Sequence, residues 1–178
     1  MKKLAIVLLT MFSLSSVFSQ AFQASNVNFD LGYALGSHRS AFYSPGVMFS
    51  FEKGVHKWVG VGAYVGYQYN INGGGFGLFG FGTGLANSHS IPFGAQGAFH
   101  FYQMIGDLTG KDIKQDKLDL AIKHSVGARL DLNNNSVIRF DFGTSVLARY
   151  FFTEKVGIYA EIGYPAMGNA LIGAAFKF

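Results

Sequence analysis

The sequence predicts an all-β chain folded as an eight-stranded antiparallel up-and-down transmembrane β-barrel. Three observations predict it. Residues 1–19 read as an export leader, long stretches after it alternate bulky apolar with small or polar residues, and no later segment holds 18 continuous apolar residues. A membrane protein without a spanning helix must cross as a closed sheet, because hydrocarbon satisfies no free backbone group.

The leader begins with Lys2 and Lys3, continues through an apolar stretch from Leu4 to Phe12, and ends among small residues at Ser13, Ser15, Ser16 and Ser19. Cleavage is expected after Ser19, with Val17 in the −3 place and Gln20 as the new terminus. An uncleaved anchor is the alternative, but its apolar core is shorter than the roughly 20 residues that a spanning helix needs. The expected division is therefore signal peptide 1–19 and barrel 20–178.

Composition narrows the classes. Hydrophobic residues make up 49% and charged residues only 13%, about half the charge of an ordinary soluble protein. The 24 glycines are about twice the usual share. With no cysteine, disulfide scaffolds, thiolate metal sites and Cys nucleophiles are excluded. The net charge of +4 falls by two when Lys2 and Lys3 leave, so a pI near 9.3 is no argument for a nucleic-acid partner.

Eight strands follow from two-residue periodicity. Strand 27–36 sets Val27, Phe29, Leu31, Tyr33 and Leu35 against Asn28, Asp30, Gly32 and Ala34. Strand 45–52 sets Val47, Phe49 and Phe51 against Met48, Ser50 and Glu52. Strand 58–69 sets Val59, Val61, Ala63, Val65, Tyr67 and Tyr69 against Gly60, Gly62, Tyr64, Gly66 and Gln68. Strand 91–102 opposes Phe93, Ala95, Phe99 and Phe101 to Gly94, Gln96, Ala98 and His100.

Strand 117–130 carries Leu118, Leu120, Ile122, Val126, Ala128 and Leu130 on one face, with His124 as a polar intruder. Asp119, Ala121, Lys123, Ser125, Gly127 and Arg129 lie on the other. Strand 137–152 opposes Phe140, Phe142, Val146, Ala148, Tyr150 and Phe152 to Arg139, Asp141, Gly143, Ser145 and Arg149. Strand 156–164 opposes Val156, Ile158, Ala160, Ile162 and Tyr164 to Gly157, Tyr159, Glu161 and Gly163. Strand 169–178 opposes Ala170, Ile172, Ala174, Phe176 and Phe178 to Leu171, Gly173, Ala175 and Lys177. Eight strands leave about 20 residues for each strand and connection, ample for spans of about 9–11, whereas ten would leave about 16. An even count suits bacterial barrels.

Connections at 53–57 and 153–155 are short; those at 36–44, 70–90 and 131–136 are longer or rich in Gly, Asn and Ser. Short turns belong at the periplasmic rim and long ones outside. The prolines, Pro45, Pro92 and Pro165, then fall at the outer rim, where a missing donor costs least. Segment 103–116 breaks the alternation and is expected as an extended turn able to hold a short helix.

Size decides which face meets lipid. An eight-stranded barrel has room inside only for packed side chains, so the small and charged face is expected inward and the bulky face outward. The lumen would then hold Asp30, Glu52, Asp119, Asp141 and Glu161 against Lys123, Arg129, Arg139, Arg149 and Lys177. Buried charges need partners, so interlocking ion pairs that plug the lumen are favoured over a conducting path. Arg149 is expected opposite Tyr159 and diagonal to Glu161, within reach. Tyr67, Tyr69 and Tyr164 at the outer rim and Tyr150, Phe152 and Phe176 at the inner one match interfacial girdles.

Little points to chemistry. Gly75, Gly77 and Gly80 match G-x-G-x-x-G, but no helix follows to make a dinucleotide site. The run is expected as a flexible external loop or strand extension, with Phe76, Phe79 and Phe81 available to contact lipid A or a partner. His124 and Ser125 cannot share a site, because strand neighbours face opposite ways. Ser88, His89 and Ser90 have no evident orienting acid, and the five histidines lack ligand spacing such as H-E-x-x-H. No catalytic, cofactor-binding or metal residue is expected, and no cofactor.

The run Ala148-Arg149-Tyr150-Phe151-Phe152-Thr153-Glu154-Lys155, then Ala160-Glu161-Ile162-Gly163-Tyr164 and the terminal Phe176-Lys177-Phe178, resembles the small outer-membrane β-barrel family, of OmpA/OmpX-like eight-stranded type. Asp116-Lys117-Leu118-Asp119-Leu120 resembles the strand entry before it. The resemblance is close from about Asp116 onward and covers the rest by pattern. It implies the outer membrane of a Gram-negative bacterium, with outer-membrane lipid and lipopolysaccharide as surroundings. It also implies that the barrel-assembly machinery reads Phe178, with Phe176 and Ile172 behind it. Many members have no assigned activity, and no periplasmic peptidoglycan-binding domain is expected here. A non-enzymatic envelope-structural or surface-interaction role is expected. A narrow channel for small solutes, a lipid A-modifying enzyme and a soluble secreted β-domain remain as alternatives. A monomer is expected, since the rims offer no obvious interface.

Overall fold

The computed structural model describes residues 21–35, 45–70, 88–111, 113–132, 138–164 and 169–178. The expected leader, the glycine run at 75–80 with its phenylalanines, and Pro165 lie outside these residues.

Eight strands form one sheet: β1 (Val27–Leu35), β2 (Gly46–His56), β3 (Val59–Asn70), β4 (Ser88–Phe99), β5 (Leu118–Asp131), β6 (Ile138–Phe151), β7 (Val156–Tyr164) and β8 (Ala170–Lys177). Each pairs antiparallel with its sequence neighbours, and β1 also pairs with β8, so the barrel closes. The seam is tight: Val27 and Phe178 exchange backbone hydrogen bonds of 3.0 and 2.8 Å. Closure leaves no open edge.

The alternation is realised as expected. Along β1, Asn28, Asp30 and Ala34 are buried while Leu31, Tyr33 and Leu35 are exposed. Following the pairing from Leu31 to Phe49, Val65, Phe93, Ala128 and Phe140 traces an outward row around much of the wall. That row begins midway along β1 and arrives near the outer end of β6, which is the tilt that a closed barrel requires. The outer surface is thus apolar around its girth, interrupted at mid-wall by His124 and Thr144, with Tyr33, Tyr67, Tyr150 and Tyr164 among its exposed rings.

Glycines make room for large lumen residues. A Cβ on Gly32 would collide with the Tyr159 hydroxyl, and one on Gly127 with that of Tyr64. The tips of the two tyrosines therefore reach bare backbone on other strands, filling a lumen too narrow for bulk on every strand.

Several boundaries differ from the sequence reading. Segment 53–57 is mostly strand: β2 runs to His56, with a register shift between Gly54 and His56 and a tight turn at 57–58. The chain before β1 accounts for it. Ser25 donates to the Gly54 carbonyl and Gly54 to that of Asn26, both at 2.9 Å, so the extra strand length finds a partner. Pro92 lies inside β4 rather than at its rim, because the strand extends outward to Ser88. It stays paired with Arg129 on β5, while the pairing with β3 skips from Phe93 to Ser90. The missing donor is spent on one ladder only.

Strand β4 stops at Phe99 rather than 102, and the segment expected as an extended turn opens with a helix, α1 (Phe101–Thr109), that starts within the end of the expected strand. It ends at Gly110, whose φ of 61° is left-handed and whose N–H returns to Gly106 at 2.9 Å. The helix buries Gln103 and Gly106 against Gln115, whose side-chain amide donates to the Gln103 carbonyl at 2.9 Å. Trp58 Nε1 donates to Asp107 Oδ2 at 2.8 Å, fastening the helix to the β2–β3 turn.

Candidate functional site: a charged plug in the lumen

Inward positions of β1, β2, β5 and β6 bring their ionisable groups to one level near the inner mouth. Arg149 of β6 is fully buried. Its Nε and Nη2 donate to the two oxygens of Asp30 at 3.1 and 2.7 Å, in a bidentate fork. Nη2 also reaches Glu52 at 2.9 Å, and Nη1 reaches Asp119 at 3.2 Å. One guanidinium thus ties three carboxylates from three other strands.

His100 completes the cluster from the link between β4 and α1. Its Nε2 lies 2.8 Å from Glu52 Oε1 and its Nδ1 2.7 Å from Asp119 Oδ1. Burial opposes the imidazolium, but Asp119 and Glu52 outweigh it and push the pKa up to about 9. With both nitrogens donating, His100 is the doubly protonated cation. Phe22 stacks on its ring, with centroids 3.4 Å apart and planes 10° from parallel, so the segment before β1 covers the cluster from below.

Two further pairs lie above. Lys123 of β5 pairs with Glu161 of β7, which also accepts from the Ser145 hydroxyl. Arg129 pairs with Asp141 at 2.6 Å and reaches Gln68 Oε1 at 3.3 Å. Lys177 is buried and sits 4.9 Å over the Phe151 ring.

The expectation of inward, mutually compensating charge therefore holds, with three corrections. Arg139 is not a lumen residue. It is 49% exposed and pairs with Asp131 at 3.2 Å, because β5 and β6 extend past the packed interior there. Arg149 does lie opposite Tyr159, but it does not use the diagonal Glu161. Asp30, Glu52 and Asp119 hold it, while Lys123 takes Glu161. The balance of five acids and five bases omitted His100, although its place on the inward face of its strand was legible; what was missing was that two carboxylates keep it charged.

The residues weighed for chemistry do not assemble a site. Ser125 is buried in the lumen, whereas His124 faces outward and bonds Thr144 Oγ1 at 2.9 Å through Nδ1. The outward register predicted for His124 is therefore real, with Thr144 its partner across β6. His89 bonds the Tyr67 hydroxyl and packs on the Tyr69 ring, while Ser90 points inward and is buried. Both His100 nitrogens are engaged by carboxylates, so neither is placed to accept a proton from a nucleophile.

No family model and no curated protein matches the chain. Solved structures of similar shape include a de novo designed transmembrane β-barrel (TM-score 0.49, 11% identity, covering 89% of this chain and 99% of that one). The N-terminal β-barrel domain of Pseudomonas aeruginosa OprF follows (TM-score 0.45, 12% identity, 88% and 100%). So does Ail, the attachment invasion locus protein of Yersinia pestis (TM-score 0.39, 11% identity, 86% and 95%). On its own strand pairing, the chain is a closed, all-antiparallel, eight-stranded up-and-down barrel.

Proposed function

We propose that the chain is a non-enzymatic integral barrel of the outer membrane of a Gram-negative bacterium, with an envelope-structural or surface-interaction role. The observation that carries this reading is the inversion of the wall: apolar side chains face out all round, while ionised groups are buried in pairs within. Such a surface suits hydrocarbon and would be a large exposed apolar patch in water. The leader expected at residues 1–19 supports delivery beyond the inner membrane. The exposed Phe178, next to the seam at the end of β8, supports recognition of Phe176 and Phe178 by the barrel-assembly machinery.

The packed cluster around Arg149 argues against a conducting lumen, and the separation of His124 from Ser125 argues against a hydrolase. The testing experiment is gel mobility of unboiled against boiled protein from the outer-membrane fraction. A closed barrel is expected to shift on boiling. Extraction into detergent-free buffer without a shift would overturn the reading in favour of a soluble β-domain. Purified barrel in a planar bilayer is expected to leave it sealed, and lipid A mass spectra are expected to be the same with and without the protein.

A further inference from the structure

His124 and Thr144 stand midway along two 14-residue strands, β5 and β6, facing outward. Exposed apolar residues flank them on both sides: Ile122 and Val126 on β5, Phe142 and Val146 on β6. Beside them the wall is recessed by about 420 Å³. The recess exists because the facing stretch of β4 carries only Ala95 and Gly97; a Cβ on Gly97 would meet nothing nearer than 3.9 Å. Thr144 occupies His124 Nδ1, and Nε2 has no protein partner among the described residues.

An imidazole nitrogen at mid-wall is costly in hydrocarbon, whose chains offer neither donor nor acceptor. What satisfies it must bring a polar group to the same depth. A second copy does so by symmetry: a twofold axis along the membrane normal sets each patch against itself at equal height. The patch carries both halves of such a contact. Phe142, 70% exposed, lines the recess and projects at its edge, so each copy offers a knob and a hole. Transmembrane helices associate through small residues that let backbones approach, with histidine and threonine bonding across, and this stretch of barrel wall offers the same elements. We infer that two copies of this chain pair through the recess at Ala95 and Gly97, with His124 of each bonded to His124 or Thr144 of the other. This departs from the monomer expected from the rims.

The inference rests on the membrane reading, and the experiment separates the two. The chain has no cysteine, so Ala95→Cys and, on the opposite wall, Ile172→Cys are single reactive sites. In phosphatidylcholine nanodiscs large enough for two barrels, copper-phenanthroline oxidation is expected to link Ala95→Cys into a covalent dimer and to leave Ile172→Cys monomeric. Gly97→Leu, which fills the recess from open space, is expected to abolish the link. His124→Leu is expected to weaken pairing at least about threefold by sedimentation in matched detergent. Heat-modifiable mobility retained by each variant shows that the barrel is intact. An intact barrel that stays monomeric in both assays overturns the inference, as does one that links indifferently at both positions. A native mass spectrum of monomer carrying one phosphatidylcholine, lost in His124→Leu, overturns it too by giving the recess to lipid. Loss of the mobility shift in the unsubstituted chain fails the membrane reading instead.

Discussion

Arg149 on β6 crosses the lumen to Asp30 on β1, holding both carboxylate oxygens at 3.1 and 2.7 Å across a separation of 119 residues. The contact joins strands that are three apart around the wall, since β7 and β8 lie between them. It is an internal strut.

Removing the strut should be expensive. Arg149→Met leaves Asp30, Glu52 and Asp119 buried together with only His100 between them, and loss of one partner of a buried ion pair costs about 3–5 kcal/mol. The expected result is a lower urea midpoint for the micelle-bound barrel and a boiled-type band at lower temperature. Asp30→Asn in the same chain should recover part of the loss, and a double-mutant cycle should return a coupling of about 0.5–3 kcal/mol.

His100 should make stability depend on pH on the alkaline side. Its pKa is about 9 in the folded barrel and near 6.5 when unfolded. The folded state thus binds the proton more tightly, and the stabilisation is complete below about pH 6.5. It is lost as pH rises through 9. Unfolding midpoints from pH 6 to 10 should fall across that window, and His100→Gln should flatten the fall.

Tyr159 separates volume from polarity. Its hydroxyl is buried with no hydrogen-bond partner among the described residues and rests on Gly32. An unsatisfied buried polar group costs about 1–3 kcal/mol, so Tyr159→Phe should be neutral or stabilising in the same unfolding assay. Tyr159→Ala should cost about 3–5 kcal/mol, as other aromatic truncations in packed interiors do.

Trp58, the sole tryptophan, reports on the inner rim. Its indole donates to Asp107, and Lys57 Nζ lies 4.3 Å over its ring. A rim at the lipid–water interface predicts stronger fluorescence quenching by lipids brominated near the glycerol than by those brominated near the chain end. Asp107→Ala should shift the emission to the red by freeing the indole to water.

Much of the barrel was legible because two-residue periodicity fixes which side chains share a face. In a barrel of eight strands, size alone then decides which face is inside. That was enough to put Asp30, Glu52, Asp119, Lys123, Arg149 and Glu161 in the lumen. The pairing among them was not legible. Arg149 meets Asp30 only because β8 closes on β1, and no local spacing encodes a contact across a cylinder. Glu161, the diagonal neighbour that strand geometry offers, is taken by Lys123. Pro92 was misplaced for the opposite reason: a proline is a good sign of a strand end, yet here one ladder lapses while the other persists. His100 shows a third limit, since a histidine at a strand end reads as neutral until its two carboxylates are seen.

The backbone bonds between Val27 and Phe178 have a kinetic corollary. Until the last residues are in place, the growing sheet carries two unsatisfied borders, and either could recruit a strand from another molecule. Because the joining contact links the farthest-separated strands of the chain, its closure comes with the greatest entropic delay. The interval before it is when the polypeptide is most exposed to aggregation, and a truncation of β8 would make that interval permanent.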